Sequence, residues 1–377
     1  MKHKICIVAE DYPSKRNPSF PFVQQLAFSL SNEGFDCLVI APQSITKALF
    51  RHEKLKKRKT FDYNPEEKKI IVYRPLIATF SNTKNRLLNR ISNFLYEHAI
   101  SNTLKRAGKI DTVYCYFWHI GLITACVMKN RPEQLIVQAS ECYVTVNKAY
   151  STVENINRVN GVVCASQKNY DESIEYGLIQ TGSRTTIVPN GFRRDEFYKI
   201  DQSKAREILG FDKSAFIVAF VGDFNDRKGS QRLSKALDKF SDVYSIFIGK
   251  GNKEPSCNNI LFKGTVAHNK LCVYLNCADV FVLPTNAEGC CNAIIEAIAC
   301  GLPIISSNKS FNNEILNDNY SIRINEESVE EIYQAIKLIK EDEVFRKKMA
   351  ESALVASNKF EISNRAKAIA QFVFNEK

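Results

Sequence analysis

Histidine is scarce in this chain of 377 residues, with five in all, at His3, His52, His98, His119 and His268. Residues so scattered exclude a histidine-rich metal cluster as a first expectation. Long apolar runs are also missing. The first thirteen residues hold only a short one, Ile5 to Ala9, below the length of a secretory core or a spanning helix, so the chain is expected to stay in the cytoplasm. Twelve cysteines are present, but no two CxxC elements stand at zinc-ribbon spacing. Most lie inside apolar stretches (Cys6, Cys37, Cys115, Cys126, Cys164), which predicts reduced, buried side chains with neither disulfide nor structural metal. There is no GxxxxGK[ST] loop, so nucleotide hydrolysis of the Walker type is not indicated. No Asp-x-Asp pair stands at a strand end to hold a divalent ion, and there is no internal repeat or low-complexity tract.

What is present is the pattern of a globular α/β protein. Hydrophobic residues make up 45% and charged residues 25%, and the length suits two cores better than one. β-branched and aromatic runs recur between helix-length stretches. The first series predicts strands at residues 4–9, 36–41, 70–74, 112–117, 135–139 and 162–166. A second predicts them at 216–222, 244–249, 260–263, 280–283 and 303–306. Continuous apolar runs such as IVAFVG suit strands covered on both faces, and the alternation with helices suggests two doubly wound parallel sheets. Between the series, Val188-Pro189-Asn190-Gly191 ends a strand in a turn, and polar residues lead on to the next strand. The hinge is placed there. Val329, Ile332, Ile336 and Ile339, like Ile369, Phe372 and Val373, follow helical spacing.

The net charge of +11 is unevenly placed. Residues 41–90 hold thirteen Lys or Arg against four acids, a net +9. Three readings compete for this segment: a solvated loop, a nucleic-acid surface, and adhesion to an anionic membrane.

The strongest chemical signal is ADVFVLPTNAEGCCNAIIEAIACGLPII, residues 278–305. A buried strand ends in Pro284, a short loop carries Glu288 and Gly289, and a helix runs from about Asn292 to Gly301, where glycine is the expected stop. Helix N-termini beyond the carboxyl ends of parallel strands offer free N–H groups to anions, so a diphosphate fits here. Carboxylates beside it would address hydroxyls instead. Glu296 would hold a ribose, and Glu288 a transferred sugar. Alone, the pair would read as one acid favouring a helix dipole and one incidental acid. It is not alone, because Arg227 and Lys228 precede Gly229 at another strand-to-helix junction, suited to the charge on a departing nucleoside diphosphate. In the first half, Trp118 and His119 sit between a strand and a helix and are expected to face one cleft. A lone histidine there is more often structural than functional.

These elements resemble the donor domain of the retaining glycosyltransferases of family four, of the kind that build bacterial polysaccharides. The resemblance rests on VGxxxxxKG at Val221 to Gly229, LFKGTV at Leu261 to Val266, ADVFVLP, the paired glutamates of EGCCNAIIEA, and ACGLPII. It extends to PNGFRRDEF and to FVQQLAFSLSNEGFDCLVIAP, and is loosest over residues 45–110. It implies a GT-B fold of two facing Rossmann-type domains with a cleft between them. The acceptor side would be residues 1–195, completed by a C-terminal helix at about 360–377, and the nucleotide-sugar side residues 196–359. It implies a metal-independent, retaining enzyme of the hexosyltransferase class, with a nucleotide-sugar donor, no tightly bound cofactor, and a lipid-linked or oligosaccharide acceptor. Matched to the family's motif, Lys228 binds phosphate, Glu288 the sugar and Glu296 the ribose. Arg227, Val266, Gly289, Cys290, Cys291 and Asn292 join the donor contacts, and His119 matches an active-site histidine. Two positions depart from the pattern: Asp223 stands where many members have Arg, and Cys290-Cys291 replaces an aromatic-Gly pair. The Gly-rich first loop is replaced by DYPSKRNPSFP. A lipid-linked acceptor would give residues 47–90 a reason to lie on the inner membrane face. Two rivals stand beside this reading: a two-Rossmann-domain sugar-nucleotide epimerase, and a non-catalytic nucleic-acid-binding protein, which the glutamate pair disfavours.

Overall fold

The computed structural model of the chain describes residues 2–14, 19–50, 52–80, 86–131, 133–146 and 148–374. Its contacts divide it into two units: residues 1–165, 169–188 and 366–377, and residues 166–168 and 189–365. The main crossing falls after Val188, in the turn where the hinge was placed and seven residues before 195/196. The later crossing falls inside the helix Ile362–Phe374.

The first unit contributes, in chain order, β1 (Lys4–Val8), β2 (Asp36–Ile40), β3 (Gln43–Ser44), β4 (Lys59–Tyr63), β5 (Lys69–Tyr73), β6 (Leu76–Ile77), β7 (Thr112–Tyr116), β8 (Gln134–Ala139), β9 (Gly161–Cys164) and β10 (Thr185–Ile187). Eight of them form one sheet in the order β10-β9-β8-β7-β1-β2-β5-β4, while β3 and β6 pair separately. The large sheet is parallel except at its edge, where β4 runs antiparallel to β5. Central strands such as β1 and β7 are buried along nearly their whole length, as a sheet covered on both faces requires. On one face the helix Pro21–Asn32 sets Val23, Leu26 and Leu30 into the core. The helix Ile362–Phe374 adds Ala366, Ile369, Ala370 and Val373 to the same cluster.

The second unit contributes β11 (Phe216–Val221), β12 (Val243–Ile248), β13 (Ile260–Gly264), β14 (Val280–Leu283), β15 (Ile304–Ser307) and β16 (Ser321–Ile324). All six are parallel. Their order, β13-β12-β11-β14-β15-β16, is that of a dinucleotide-type fold, in which the order reverses between the first and fourth strands and the following loops part to leave a crevice. Here that point lies between β11 and β14. In the first unit the reversal falls between β1 and β7.

The basic segment is only in part a loop. Among its described residues, 52–58, with Lys54, Lys57 and Arg58 exposed, form no helix or strand, while the others include β4, β5, β6, the end of the helix Ile45–Phe50 and the start of the helix Arg86–Arg106. The sequence did not announce β4, because Lys59, Asp62 and the lysines before them mask an alternation in which every second side chain is half-buried. The short strand β16 was missed as well.

Candidate functional site

In the second unit the loops after β11 and β14 carry the two sets of residues singled out from the sequence. The β11 loop turns back through Gly229, at φ 77°, where an added Cβ would stand 2.4 Å from the Pro284 carbonyl oxygen. Only glycine permits that approach. The helix Ser230–Leu237 starts directly after it. Lys228 Nζ lies 2.6 Å from Glu288 Oε1, and an Arg227 guanidinium nitrogen lies 2.8 Å from the same oxygen. Arg227 also donates to the Ala287 carbonyl at 2.7 Å, and the Thr285 hydroxyl to Glu288 Oε1 at 2.8 Å. Glu288 is buried, so its charge is tolerable because three donors surround it. Burial pulls the Lys228 ammonium down, but Cys291, once ionised at alkaline pH, and the Glu288 carboxylate outweigh it and leave it raised. It therefore carries its charge at neutral pH.

Arg232 braces this arrangement from below. Its guanidinium donates to the carbonyls of Glu326, Asp226 and Pro284 and to the Asn286 side chain, tying the two loops together. Asp223, at the position of departure, is exposed.

The loop from Gly289 to Asn292 is held from a different quarter. The Asn190 side-chain amide donates to the Cys290 carbonyl at 3.2 Å and to Asn292 Oδ1 at 2.8 Å. Arg365 in turn donates to Asn190 Oδ1 at 3.0 Å and to the Pro189 carbonyl. Sequence reasoning read PNG as a hinge and missed that its Asn clamps this loop. Its contacts lie about a hundred residues away, and nothing local signals them. Burial pushes the Cys290 thiol up to about 12 and the Cys291 thiol up to about 11. Both stay neutral at physiological pH, so neither is an activated nucleophile. Gly289 is buried beside them. All twelve cysteines are free.

Glu296 lies one turn into the helix Asn292–Ala299 and does not share the partners of Glu288. Its Oε1 stands 3.7 Å from His268 Nε2, while His268 Nδ1 is 3.7 Å from Glu196. The Glu296 carboxylate raises His268 above its ordinary range, with burial opposing. Val266 is half-buried in the turn between β13 and the helix His268–Asn276.

In the first unit His119 occupies the second position of the helix Trp118–Val127. Its Nε2 is 2.7 Å from Glu10 Oε1, and Glu10 follows β1. The hydrogen bond from His119 lowers the Glu10 carboxyl below its usual range. The pair thus sits at the reversal of this sheet, between β1 and β7. Phe117, at φ 75°, makes the sharp entry into the helix, and Glu141, buried, accepts from the Trp118 N–H. Trp118 corrects the expectation that it shares a cleft with His119. Successive helical residues point about 100° apart, and Trp118 is fully buried with its indole N–H on the Ser173 hydroxyl at 2.8 Å. Glu10 was not found from the sequence. The DYPSKRNPSFP loop supplies Asp11 instead to Lys56, 2.7 Å away; its residues 15–18 lie outside the described residues.

Residues 201–354 match the family described as "Glycosyl transferases group 1". That stretch contains both loops of the second-unit site. The match marks the chain as a transferase enzyme. Over 97% of its length it is 24% identical to the putative teichuronic acid biosynthesis glycosyltransferase TuaC of Bacillus subtilis, covering 97% of that protein. Over 43% of its length it is 27% identical to the UDP-Gal:alpha-D-GlcNAc-diphosphoundecaprenol alpha-1,3-galactosyltransferase of Escherichia coli, covering 46% of it. Among solved structures, sucrose-phosphate synthase of Thermosynechococcus elongatus aligns with a TM-score of 0.77 at 16% identity, covering 98% of each chain. Anabaena HepE in complex with UDP gives 0.70 at 17%, again over 98% of each. These likenesses establish the GT-B fold.

Proposed function

We propose that this enzyme is a retaining, metal-independent hexosyltransferase that takes a sugar from a nucleotide-sugar donor and passes it to a lipid-linked or oligosaccharide acceptor in cell-surface polysaccharide biosynthesis. The reading is carried by one observation: Arg227 and Lys228 converge on the buried Glu288 at the sheet reversal of the domain matched to the group 1 family. Lys228 and Arg227 present fixed positive charge where a leaving diphosphate gains negative charge, a role otherwise filled by a divalent ion. An incoming diphosphate competes with Glu288 for these cations and frees its carboxylate for the hydroxyls of the transferred sugar. Glu296 accepts from the ribose hydroxyls. Gly289 to Asn292, held by Asn190, present backbone N–H groups, and Val266 lines the nucleoside end. His119, paired with Glu10 at the sheet reversal of the first unit, is assigned to the acceptor side. Names such as TuaC and the diphosphoundecaprenol galactosyltransferase support the acceptor class.

The test is a screen of donor cleavage over a panel of nucleotide sugars, followed by anomeric analysis of the product. Slow cleavage of one donor, accelerated by a lipid-linked saccharide with the anomeric configuration kept, is the expected result. Isomerisation of the donor sugar without transfer would replace this reading with the epimerase.

A further inference from the structure

The first unit carries a second feature that the donor chemistry does not use. A cavity of about 840 Å³ opens in it, with Glu10 and His119 among its lining, Lys47 from the helix Ile45–Phe50, and Asn89, Arg90 and Tyr96 from the helix Arg86–Arg106. The two helices therefore flank one opening. Both also hold large apolar side chains out to solvent: Leu49 is 74% exposed and Phe50 84%, while Ile91 is 41% and Phe94 64% exposed. Surface residues of this size are ordinary when scattered singly and informative when clustered.

Exposed cations belong to the same segments: Lys47 and Arg90 on the two helices, and Lys54, Lys57, Arg58 and Lys59 on the chain that follows the first of them. Arg58 and Lys59 lie against the same long helix, lining a cavity with Leu95, His98 and Asn102. Apolar tips set among cations suit an interface whose outer layer is anionic and whose interior is hydrocarbon. Nucleic acid fits less well, because aliphatic Leu49 and Ile91 neither stack on bases nor meet phosphates. A second copy of the chain fits poorly too, since a twofold contact through this face would set cations against cations.

We propose that the first unit docks on an anionic lipid surface through the helices Ile45–Phe50 and Arg86–Arg106, inserting Leu49, Phe50 and Phe94 and bringing the mouth of the Glu10–His119 cavity to the membrane. Lys56 is not part of the contact, since its ammonium is partly buried on Asp11 and the Tyr12 carbonyl. The docking stands apart from the donor chemistry and holds whichever sugar is transferred.

Co-sedimentation of the full chain with phosphatidylglycerol–phosphatidylcholine vesicles, and with phosphatidylcholine alone, tests it without any donor. Binding is expected only to the anionic vesicles and fades with salt. Leu49→Ser with Phe50→Ser should weaken it at least about tenfold, or about 1.4 kcal/mol, while circular dichroism and melting temperature stay unchanged because both side chains are solvated. Lys57→Glu with Arg58→Glu should weaken it comparably at low salt. Absence of vesicle binding, equal binding to neutral vesicles, indifference to the serine pair, or displacement by duplex DNA would each overturn the proposal.

Discussion

Each unit places a carboxylate and a nitrogen base where its strand order reverses, and the two pairs differ in almost every physical respect. In the first unit Glu10 and His119 remain 46% and 28% exposed. In the second, Glu288 and Lys228 are 10% and 12% exposed, and Glu288 also accepts from a Thr hydroxyl and an Arg. Water screens the first pair, so it can form and break at little cost. The second is a buried network in which every charge depends on its partners. One pair is therefore free to part and re-form, and the other is a fixed field that a ligand must displace.

Breaking the buried pair should have the largest effect. Lys228→Ala leaves Glu288 with Arg227 and Thr285, and should cost about 3 kcal/mol of stability. It should also lower turnover by about 10²- to 10³-fold, more than it weakens donor binding, because the charge that it meets grows as the bond breaks. Rates and calorimetric affinities measured side by side check this, and equal losses would mark ordinary ground-state recognition. Next comes Glu296→Ala, expected to weaken nucleoside diphosphate binding by about 1.5 to 3 kcal/mol. Unchanged affinity in a folded variant would remove the ribose assignment.

Asn190→Ala removes two donated hydrogen bonds from the Cys290 to Asn292 loop, and about 1 kcal/mol of stability should follow. Donor affinity should fall with it if that loop presents the N–H groups. A melt shifted without a change in affinity would make Asn190 a structural tie only. Smaller still is the effect of Glu10→Gln, under about 1 kcal/mol for a solvated pair. Because the folded Glu10 carboxyl is depressed, its contribution is present above the usual carboxylate range and disappears as pH falls through the depressed value. Melting curves of variant and parent should therefore converge in strong acid and separate towards neutrality. A strong chelator should change nothing in the transfer rate, and activity restored by adding back magnesium or manganese would contradict the cation-for-metal reading.

The same contrast explains what could be read from the sequence. Arg227, Lys228, Glu288 and Glu296 stand in short motifs beside apolar strands, so a local pattern locates them on loops and a helix start. The strand order then brings the loops of β11 and β14 together without further information. Glu10, Asn190 and Arg365 matter through partners about a hundred or more residues distant, and no spacing reveals such a pairing. Trp118 was misplaced because adjacency in sequence does not mean a shared face on a helix. β4 was hidden by its lysines, although Phe61 and Tyr63 alternate with polar neighbours as an edge strand should. There charge, usually the sign of a loop, serves to keep an unpaired strand edge from recruiting another chain.

The helix Ile362–Phe374 has a consequence for how the protein is made. Ala366, Ile369, Ala370 and Val373 fill the same core as Ile5, Ile7 and Val39. Domains generally form as units while the chain leaves the ribosome, N-terminal first, yet this first unit lacks part of its interior until residue 373 has been synthesised. The second unit, by contrast, has all its strands once residue 324 has emerged. The first unit is thus the last to close, and until then the part of its apolar sheet face that this helix covers is left open.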